Sequence, residues 1–231
     1  MADTGRFRES LALLVHENTQ VSRKQIFGSN ESASRPISLP NDAETMFAGY
    51  VGAEYAPGGL VLLGINPGGG GDAYTRRTSD DQVFYPFLER LKTAPPDARL
   101  EAFEDVNRTS VPILQQWNLW RIVRPTIEAA GRTIQQVAYL NAVPYRTRQD
   151  KPPLLAAQRR AWEQLTGPFI PALEPAAIVA LGMKAGRVLV RFYVGEATTY
   201  CVPRTIGDIY LSDQATAVLE VIRDRRPDPS E

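Results

Sequence analysis

One short segment of the chain has residue types that suit chemistry, the run from Gly64 to Gly71 that contains Asn66 and Pro67. An apolar run precedes it, so the amide of Asn66 would stand at the end of a buried strand beside a rigid proline. An amide oxygen in that place could orient a water molecule, and backbone N–H groups of the glycine turn could contact a base edge or an anion.

Two familiar glycine-rich motifs fit this segment poorly. A phosphate-binding loop needs Lys and then Ser or Thr after its glycines, whereas Gly71 is followed by Asp-Ala-Tyr. A dinucleotide fingerprint needs spaced glycines that open directly into a helix, and four consecutive glycines do not supply that spacing.

The elements that would position Asn66 alternate between strands and helices. Predicted strands span 59–65, 136–141, 177–182 and 199–202, and predicted helices span 6–16, 154–165, 184–192 and 213–223. Helical segments are also expected over 81–131, broken at Pro95-Pro96 and Pro112. This alternation is typical of an α/β fold. We expect a three-layer sandwich with a mostly parallel, four-stranded central sheet and helices on both faces.

All four predicted strands end in polar or turn-forming residues, and ligands bind at the carboxyl ends of strands in such sheets. These ends are Asn66-Pro67-Gly68, Asn141, Gly182-Met183-Lys184 and Pro203-Arg204-Thr205. Their convergence predicts a site at one edge of the sheet.

Length and composition predict a single domain over residues 1–231. No linker rich in Gly, Pro or Ser divides the chain, residues 1–58 form an N-terminal helix and loop extension, and 225–231 form a tail. The chain lacks an apolar run of membrane-spanning length and a signal peptide, and its single cysteine suits a reducing compartment. We therefore expect a soluble, cytoplasmic monomer without membrane partners.

Charge and ligand residues exclude several classes of protein. The 26 basic and 26 acidic residues cancel, so no global field draws the chain onto nucleic acid, although a few phosphates could still be gripped locally. The one histidine, His16, and the one cysteine, Cys201, match no zinc spacing. We expect neither a metal nor a cofactor.

The motifs at the strand ends resemble those of the uracil-DNA glycosylase superfamily. Gly64-Ile65-Asn66-Pro67-Gly68 is similar to its first motif, in the form found in the mismatch-specific and thymine-DNA glycosylase branch. The segments 139–146, 178–185 and 202–205 resemble the second strand, the third strand with its helix, and the final motif. The resemblance covers roughly residues 59–223, leaving residues 1–58 and much of 85–130 unmatched.

The resemblance implies a DNA glycosylase that acts on a flipped pyrimidine, since the glycosidic bond cannot be attacked within the base stack. Asn66 would position the attacking water, and Asn141 would hydrogen-bond the polar edge of the base. Further base contacts would come from Gly64, Ile65, Pro67 and Gly68, with Phe84 or Tyr85 stacked on the base. DNA contacts would come from Arg146, Arg148, Lys184, Pro203, Arg204 and Thr205.

Two departures from the pattern shape the expected substrate. The final motif has no histidine, as in the mismatch and thymine branch, and His16 is expected to have a surface or packing role in the N-terminal helix. Uracil-specific members carry a bulky tyrosine where this chain has Gly68. A C5-substituted pyrimidine, such as a bulky modified cytosine of phage DNA, would fit the gap, which suggests a role in repair or in phage defence.

Other candidate residues are assigned structural roles. Trp117 and Trp120 are expected in packing, and Asp208 in a turn beside Gly207. Two further functions stay open: a DNA-binding or modified-base-binding module without catalysis, and a hydrolase of nucleosides or nucleotides. An electropositive groove across the strand ends would favour DNA, and a closed pocket would favour the small molecule.

Overall fold

The fold is built around one mixed sheet of five strands. The computed structural model describes residues 4–28, 46–47, 49–68, 79–147, 152–208 and 210–225. The strands are β1 (Tyr50–Val51), β2 (Leu60–Gly64), β3 (Val137–Asn141), β4 (Ala177–Leu181) and β5 (Thr198–Val202). They lie in the order β1-β3-β2-β4-β5; all neighbours are parallel except β1, which runs antiparallel to β3.

The predicted α/β class and mostly parallel sheet are confirmed, but the predicted number of four strands is not. The additional strand, β1, has only two residues, pairs Tyr50 with Tyr139, and lies within the segment 1–58 that was expected to hold only a helix and loops. Two residues carry no measurable alternation, so no sequence pattern could have revealed this strand.

The central strands explain why the sheet forms. Every residue of β2 and β3 is buried, in keeping with apolar side chains that face helices or loops on both sides of the sheet. In contrast, β5 begins with two exposed threonines and forms an edge. The register places Gly64 opposite Asn141, so the carboxyl ends of β2 and β3 finish level with each other.

Helices connect the strands, and the helices predicted near both ends of the chain are confirmed with small shifts of their bounds. They are α1 (Thr4–Thr19), α2 (Arg23–Phe27), α3 (Ser79–Thr93), α4 (Arg99–Gln116), α5 (Trp120–Ala129), α6 (Leu155–Ala161), α7 (Gly167–Ala172), α8 (Met183–Phe192) and α9 (Asp213–Asp224). A π-helical segment, Trp162–Thr166, joins α6 to α7. None of the described helices is long and apolar enough to cross a lipid bilayer.

The expected break at Pro112 is wrong, because Pro112 lies inside α4. A proline removes the hydrogen bond to the carbonyl four residues earlier, which here belongs to Arg108. Both Pro112 and Arg108 are exposed, so water can take the freed carbonyl, while the neighbouring Ile113 and Leu114 are buried and hold the helix in place. The break predicted at Pro95-Pro96 is confirmed, since α3 ends at Thr93.

The N-terminal helix α1 belongs to the core. Arg8 is 6% exposed and donates two hydrogen bonds to the carboxylate of Glu104 on α4, at 2.8 and 2.6 Å. Its remaining terminal nitrogen donates to the carbonyl of Gly52 at 2.8 Å. One buried guanidinium therefore ties α1 to α4 and to the segment that follows β1.

Three buried tyrosines should make the fold sensitive to alkali. Burial raises the pKa of Tyr139 to about 12 and raises the pKa of Tyr50 and Tyr55 above their ordinary value of 10.0. The unfolded chain releases these protons once the pH exceeds 10, whereas the folded chain keeps them, so stability falls as the pH rises from 10 towards 12.

The Tyr50 hydroxyl has no hydrogen-bond partner among the described residues, so Tyr50→Phe removes one such group at little structural cost. Between pH 10 and 12, the free energy of unfolding measured in urea should fall by about 1.4 kcal/mol more per pH unit in the wild type than in Tyr50→Phe. Equal slopes would contradict this.

Candidate functional site

A cavity of about 700 Å³ opens at the carboxyl ends of the parallel strands, where the sequence predicted a site. The turn after β2, the corner between α4 and α5, Tyr139 of β3, Arg146, the β4–α8 junction and the loop after β5 line this cavity. A volume of this size suits a small organic ligand or one nucleotide.

Asn66 lines the cavity with its side chain held in one orientation. Its Nδ2 donates to Thr147 Oγ1 at 3.0 Å and to the carbonyl of Pro67 at 3.3 Å. Thr147 is fully buried, which makes it a firm anchor. Both amide protons are thereby used, and Oδ1 accepts no hydrogen bond from any described residue. The predicted chemistry needs such an amide oxygen, which can accept a hydrogen bond from water and orient it.

Gly64 is required by the side chains of its neighbouring strand. A Cβ at Gly64 would lie 2.7 Å from Asn141 Oδ1 and 2.9 Å from the hydroxyl oxygen of Tyr139. Tyr139 and Asn141 stand two residues apart on the same face of β3, and the Tyr139 hydroxyl donates to Asn141 Oδ1 at 3.2 Å. Only glycine leaves this pair enough room against β2.

The structure brings Tyr139 to the cavity, while Asn141, predicted to bind the base, is 3% exposed and does not line the cavity wall. Its Nδ2 has no hydrogen-bond partner among the described residues. Since burial raises the pKa of Tyr139 to about 12, this hydroxyl stays protonated at neutral pH and keeps its bond to Asn141. Tyr139 was not singled out from the sequence, because a tyrosine in an apolar run has the pattern of a core residue.

Gly68, which was predicted to leave a gap in the cavity wall, lies among the described residues at the cavity. It lines the cavity, and no described atom lies within 4 Å of the position that its Cβ would occupy. Ile65 also lines the cavity, whereas Pro67 is buried and does not. The glycines that follow, 69–71, lie outside the described residues.

Besides Tyr139, the aromatic side chain that lines the cavity among the described residues is Trp117, whereas Phe84 and Tyr85 do not line it. Phe84 is 1% exposed and stacks on Phe47 with ring centroids 4.5 Å apart, so the core already occupies its face. Tyr85 is buried beside it. Trp117, assigned from sequence to packing, also contacts Phe47 at 5.7 Å and lines the cavity at the end of α4.

Three cationic side chains line the cavity: Arg146, Lys184 and Arg204. Among the described residues, Asp208 is the acidic side chain that lines the cavity; it is 3% exposed and accepts two hydrogen bonds from the Arg204 guanidinium, from Nε at 2.8 Å and from Nη2. Asp208 has a left-handed φ of 52°, as expected in a turn, and its carboxylate also fixes Arg204. The described lining residues therefore carry a net positive charge.

The remaining predicted contacts divide between the cavity and other places. Thr205 lines the cavity and donates to the carbonyl of Tyr210 at 3.0 Å, whereas Pro203 does not line it. Arg148 lies outside the described residues. His16 packs away from the cavity, with Nδ1 2.8 Å from the carbonyl of Leu91 on α3. Within the described part of the chain, His, Cys, Asp and Glu form no group that could hold a metal ion.

Two glycines of the same motif provide a matched test of this geometry. Gly64→Ala should lower the free energy of unfolding by about 1–3 kcal/mol, because its Cβ meets the Tyr139–Asn141 pair. Gly68→Ala should stay within about 0.5 kcal/mol of the wild type, because its Cβ meets no described atom within 4 Å. Urea denaturation measures both, and an equal loss in the two variants would contradict the close packing at Gly64.

Comparison with known proteins adds no family to this geometry. The chain matches no protein-family model and no curated protein. The likeness to the uracil-DNA glycosylase superfamily therefore rests on the sequence motifs at the strand ends alone.

Proposed function

We propose that the chain is a monofunctional DNA glycosylase that hydrolyses the N-glycosidic bond of a flipped pyrimidine. The observation that carries this proposal is the fixed amide of Asn66, whose Oδ1 accepts no hydrogen bond from the described residues and lies at a cavity whose described lining is positively charged. The three-layer arrangement of the resembling superfamily, with helices on both faces of the sheet, is part of the same proposal.

The chemistry needs one water molecule and no cofactor. Asn66 Oδ1 accepts a hydrogen bond from the water and aims its oxygen at C1′ of the sugar. The bond from C1′ to the base nitrogen breaks with its electron pair going to the base, and a new bond joins C1′ to the water oxygen. The water proton ends on the departing base, which leaves an abasic sugar in an intact strand.

Negative charge that develops on the base needs stabilisation, because the chain lacks a histidine in its final motif. Arg146, Lys184 and Arg204 line the cavity and supply positive charge there. Charges fixed in place before the reaction stabilise a transition state without reorganisation. The ion pair with Asp208 holds Arg204 in this way.

Trp117 and Tyr139 suit recognition of the base itself. The indole of Trp117 can stack on a pyrimidine ring, which stabilises a base that has left the helical stack. The only proton of the Tyr139 hydroxyl is engaged by Asn141. A base that meets this hydroxyl must therefore donate, as the amino group of cytosine and N3–H of uracil do.

Gly68 favours a pyrimidine with a substituent at C5. The space beside Gly68 holds no described atom within 4 Å of a Cβ position, so none of the described residues blocks a group that projects from the base there. A bulky modified cytosine of phage DNA combines an amino edge with such a substituent. Excision of this base would serve defence against phage, and excision of uracil would serve repair.

Base release from DNA tests the proposed activity. Oligonucleotides carrying uracil, thymine opposite guanine, or C5-modified cytosines are incubated with the protein, and abasic sites are detected by alkaline strand cleavage. Asn66→Ala should slow release about 100-fold or more, because the water loses its acceptor. Thr147→Val should slow base release less than Asn66→Ala does, because it removes the anchor of the Asn66 amide but keeps the amide itself. Unfolding curves and DNA binding of each variant control for folding.

Release that is unchanged in Asn66→Ala would remove Asn66 from the mechanism. Absence of release from every substrate, with DNA still bound, would leave a binding module in place of an enzyme.

The size of residue 68 should select the substrate. Gly68→Tyr places a ring in the open space, so release of a bulky C5-modified cytosine should fall at least about 10-fold relative to release of uracil. Gly68→Ala serves as the matched control, since its methyl group leaves most of the space open. The ratio of the two release rates is the measurement, and an unchanged ratio in Gly68→Tyr would place the C5 substituent elsewhere.

The volume of the cavity favours one alternative function. About 700 Å³ is enough for a free nucleoside or nucleotide, which the same water could hydrolyse. Release of base from a free pyrimidine nucleotide, at a rate equal to that from DNA, would support this alternative.

A further inference from the structure

Helix α8 begins at the cavity and leads away from it. Its first residues, Met183 and Lys184, line the cavity. Gly182, which precedes them, has a left-handed φ of 99°, and the side chain of Arg204 packs against Gly182. A Cβ at Gly182 would lie 3.0 Å from Arg204 Cδ, so the helix start and the loop after β5 fit closely. The cavity rim therefore continues directly into the exposed face of α8.

That face carries a row of positive charge. Lys184, Arg187 and Arg191 are exposed, and their spacing of three and four residues places them on one side of a helix. The helix contains no acidic residue, and none of the three cations forms an ion pair with any described residue. Met183 and Val190, 55% and 86% exposed, lie beside this row and form an apolar border.

The length of this row matches the spacing of phosphates in DNA. At a rise of about 1.5 Å per residue, Lys184 and Arg191 stand about 10 Å apart along the helix axis. One strand of a duplex carries a phosphate about every 3.4 Å of its axis, so this length corresponds to about three phosphates. Three cations thus face about three negative charges.

We propose that α8 is the track along which the DNA backbone leaves the cavity. Lys184 binds the phosphate next to the flipped nucleotide, and Arg187 and Arg191 bind the phosphates that follow. The apolar border of Met183 and Val190 contacts the sugars. This inference rests on the proposed function, because it takes the occupant of the cavity to be a nucleotide of a DNA strand.

Such a track also accounts for DNA binding by a chain without net charge. The formal net charge is 0, so attraction must come from local charge. Phosphates neutralised at an interface release counterions, and this term governs affinity for nucleic acid. A row of unpaired cations that continues from a positive cavity concentrates this effect on one path.

The salt dependence of DNA binding tests the track. The double variant Arg187→Gln with Arg191→Gln is compared with Arg223→Gln combined with Arg225→Gln, which removes two exposed arginines at the end of α9. All measurements use the full chain with Asn66→Ala, so that no base is released, and a fluorescent oligonucleotide carrying a C5-modified cytosine. Affinity is measured by anisotropy over a range of salt concentrations.

The α8 variant should lose two phosphate contacts. The slope of log affinity against log salt should then fall in magnitude by about 1.4 on a single strand and about 1.8 on a duplex, with affinity roughly 10- to 100-fold lower at moderate salt. The α9 variant should keep the slope of the parent.

Two outcomes overturn the inference, and they are distinguishable. In the first outcome, the wild type releases base, but the α8 variant keeps the parental salt slope or loses no more affinity for the oligonucleotide than the α9 variant. The proposed track is then wrong, and the proposed glycosylase activity is unaffected. If the chain binds no oligonucleotide and releases no base, the proposed function fails and the track fails with it.

Discussion

The site depends on the close approach of β2 and β3 at their carboxyl ends. Gly64 lies opposite Asn141, and the absence of a side chain at Gly64 lets the Tyr139–Asn141 pair fill the space against it. This contact fixes where the chain leaves β2 relative to β3, and Asn66 lies in the turn two residues after Gly64. Hydrogen bonds from the backbone amides of Ala142 and Val143 to the carbonyls of Gly64 and Ile65 extend the pairing beyond the strands.

The segment that follows β3 holds the side chain of Asn66, which lies in the turn after β2. Thr147 accepts a hydrogen bond from Asn66, so the amide of Asn66 is held between the turn after β2 and the chain after β3. Thr166, in the π-helical segment, donates to the backbone carbonyls of Asn141 and Ala142 at 3.1 and 3.2 Å. The widened helical turn therefore supports the strand end from outside the cavity, and insertions of this kind are frequent at functional sites.

The sequence predicts the central strands well, because uninterrupted apolar runs that end in Asn, Gly or Pro have few alternative structures. It predicts Asn66 and Gly68 at the cavity for the same reason, since both follow directly from where β2 ends. Residues that reach the cavity from elsewhere are harder to predict. Trp117 comes from a helix corner, and its long-range position depends on how α4 packs, which local pattern does not encode.

Phe84 was predicted at the site from the sequence but lies in the core. The resemblance predicts that Phe84 or Tyr85 stacks on a base, but the ring of Phe84 is already stacked on Phe47 in the core. Asp208 illustrates a residue with two roles: a turn was predictable from Gly207 beside it, whereas its bond to Arg204 depends on tertiary contacts. Sequence pattern thus located the edge of the sheet at which the cavity lies, and packing decided which side chains face it.

The most direct test of the account is a crystal structure of Asn66→Ala bound to an oligonucleotide with a C5-modified cytosine. We expect the base within the cavity, stacked on Trp117, with its C5 substituent beside Gly68 and its C1′ facing position 66. A strand that passes the cavity with every base stacked, or a phosphate in place of the base, would contradict the central claim.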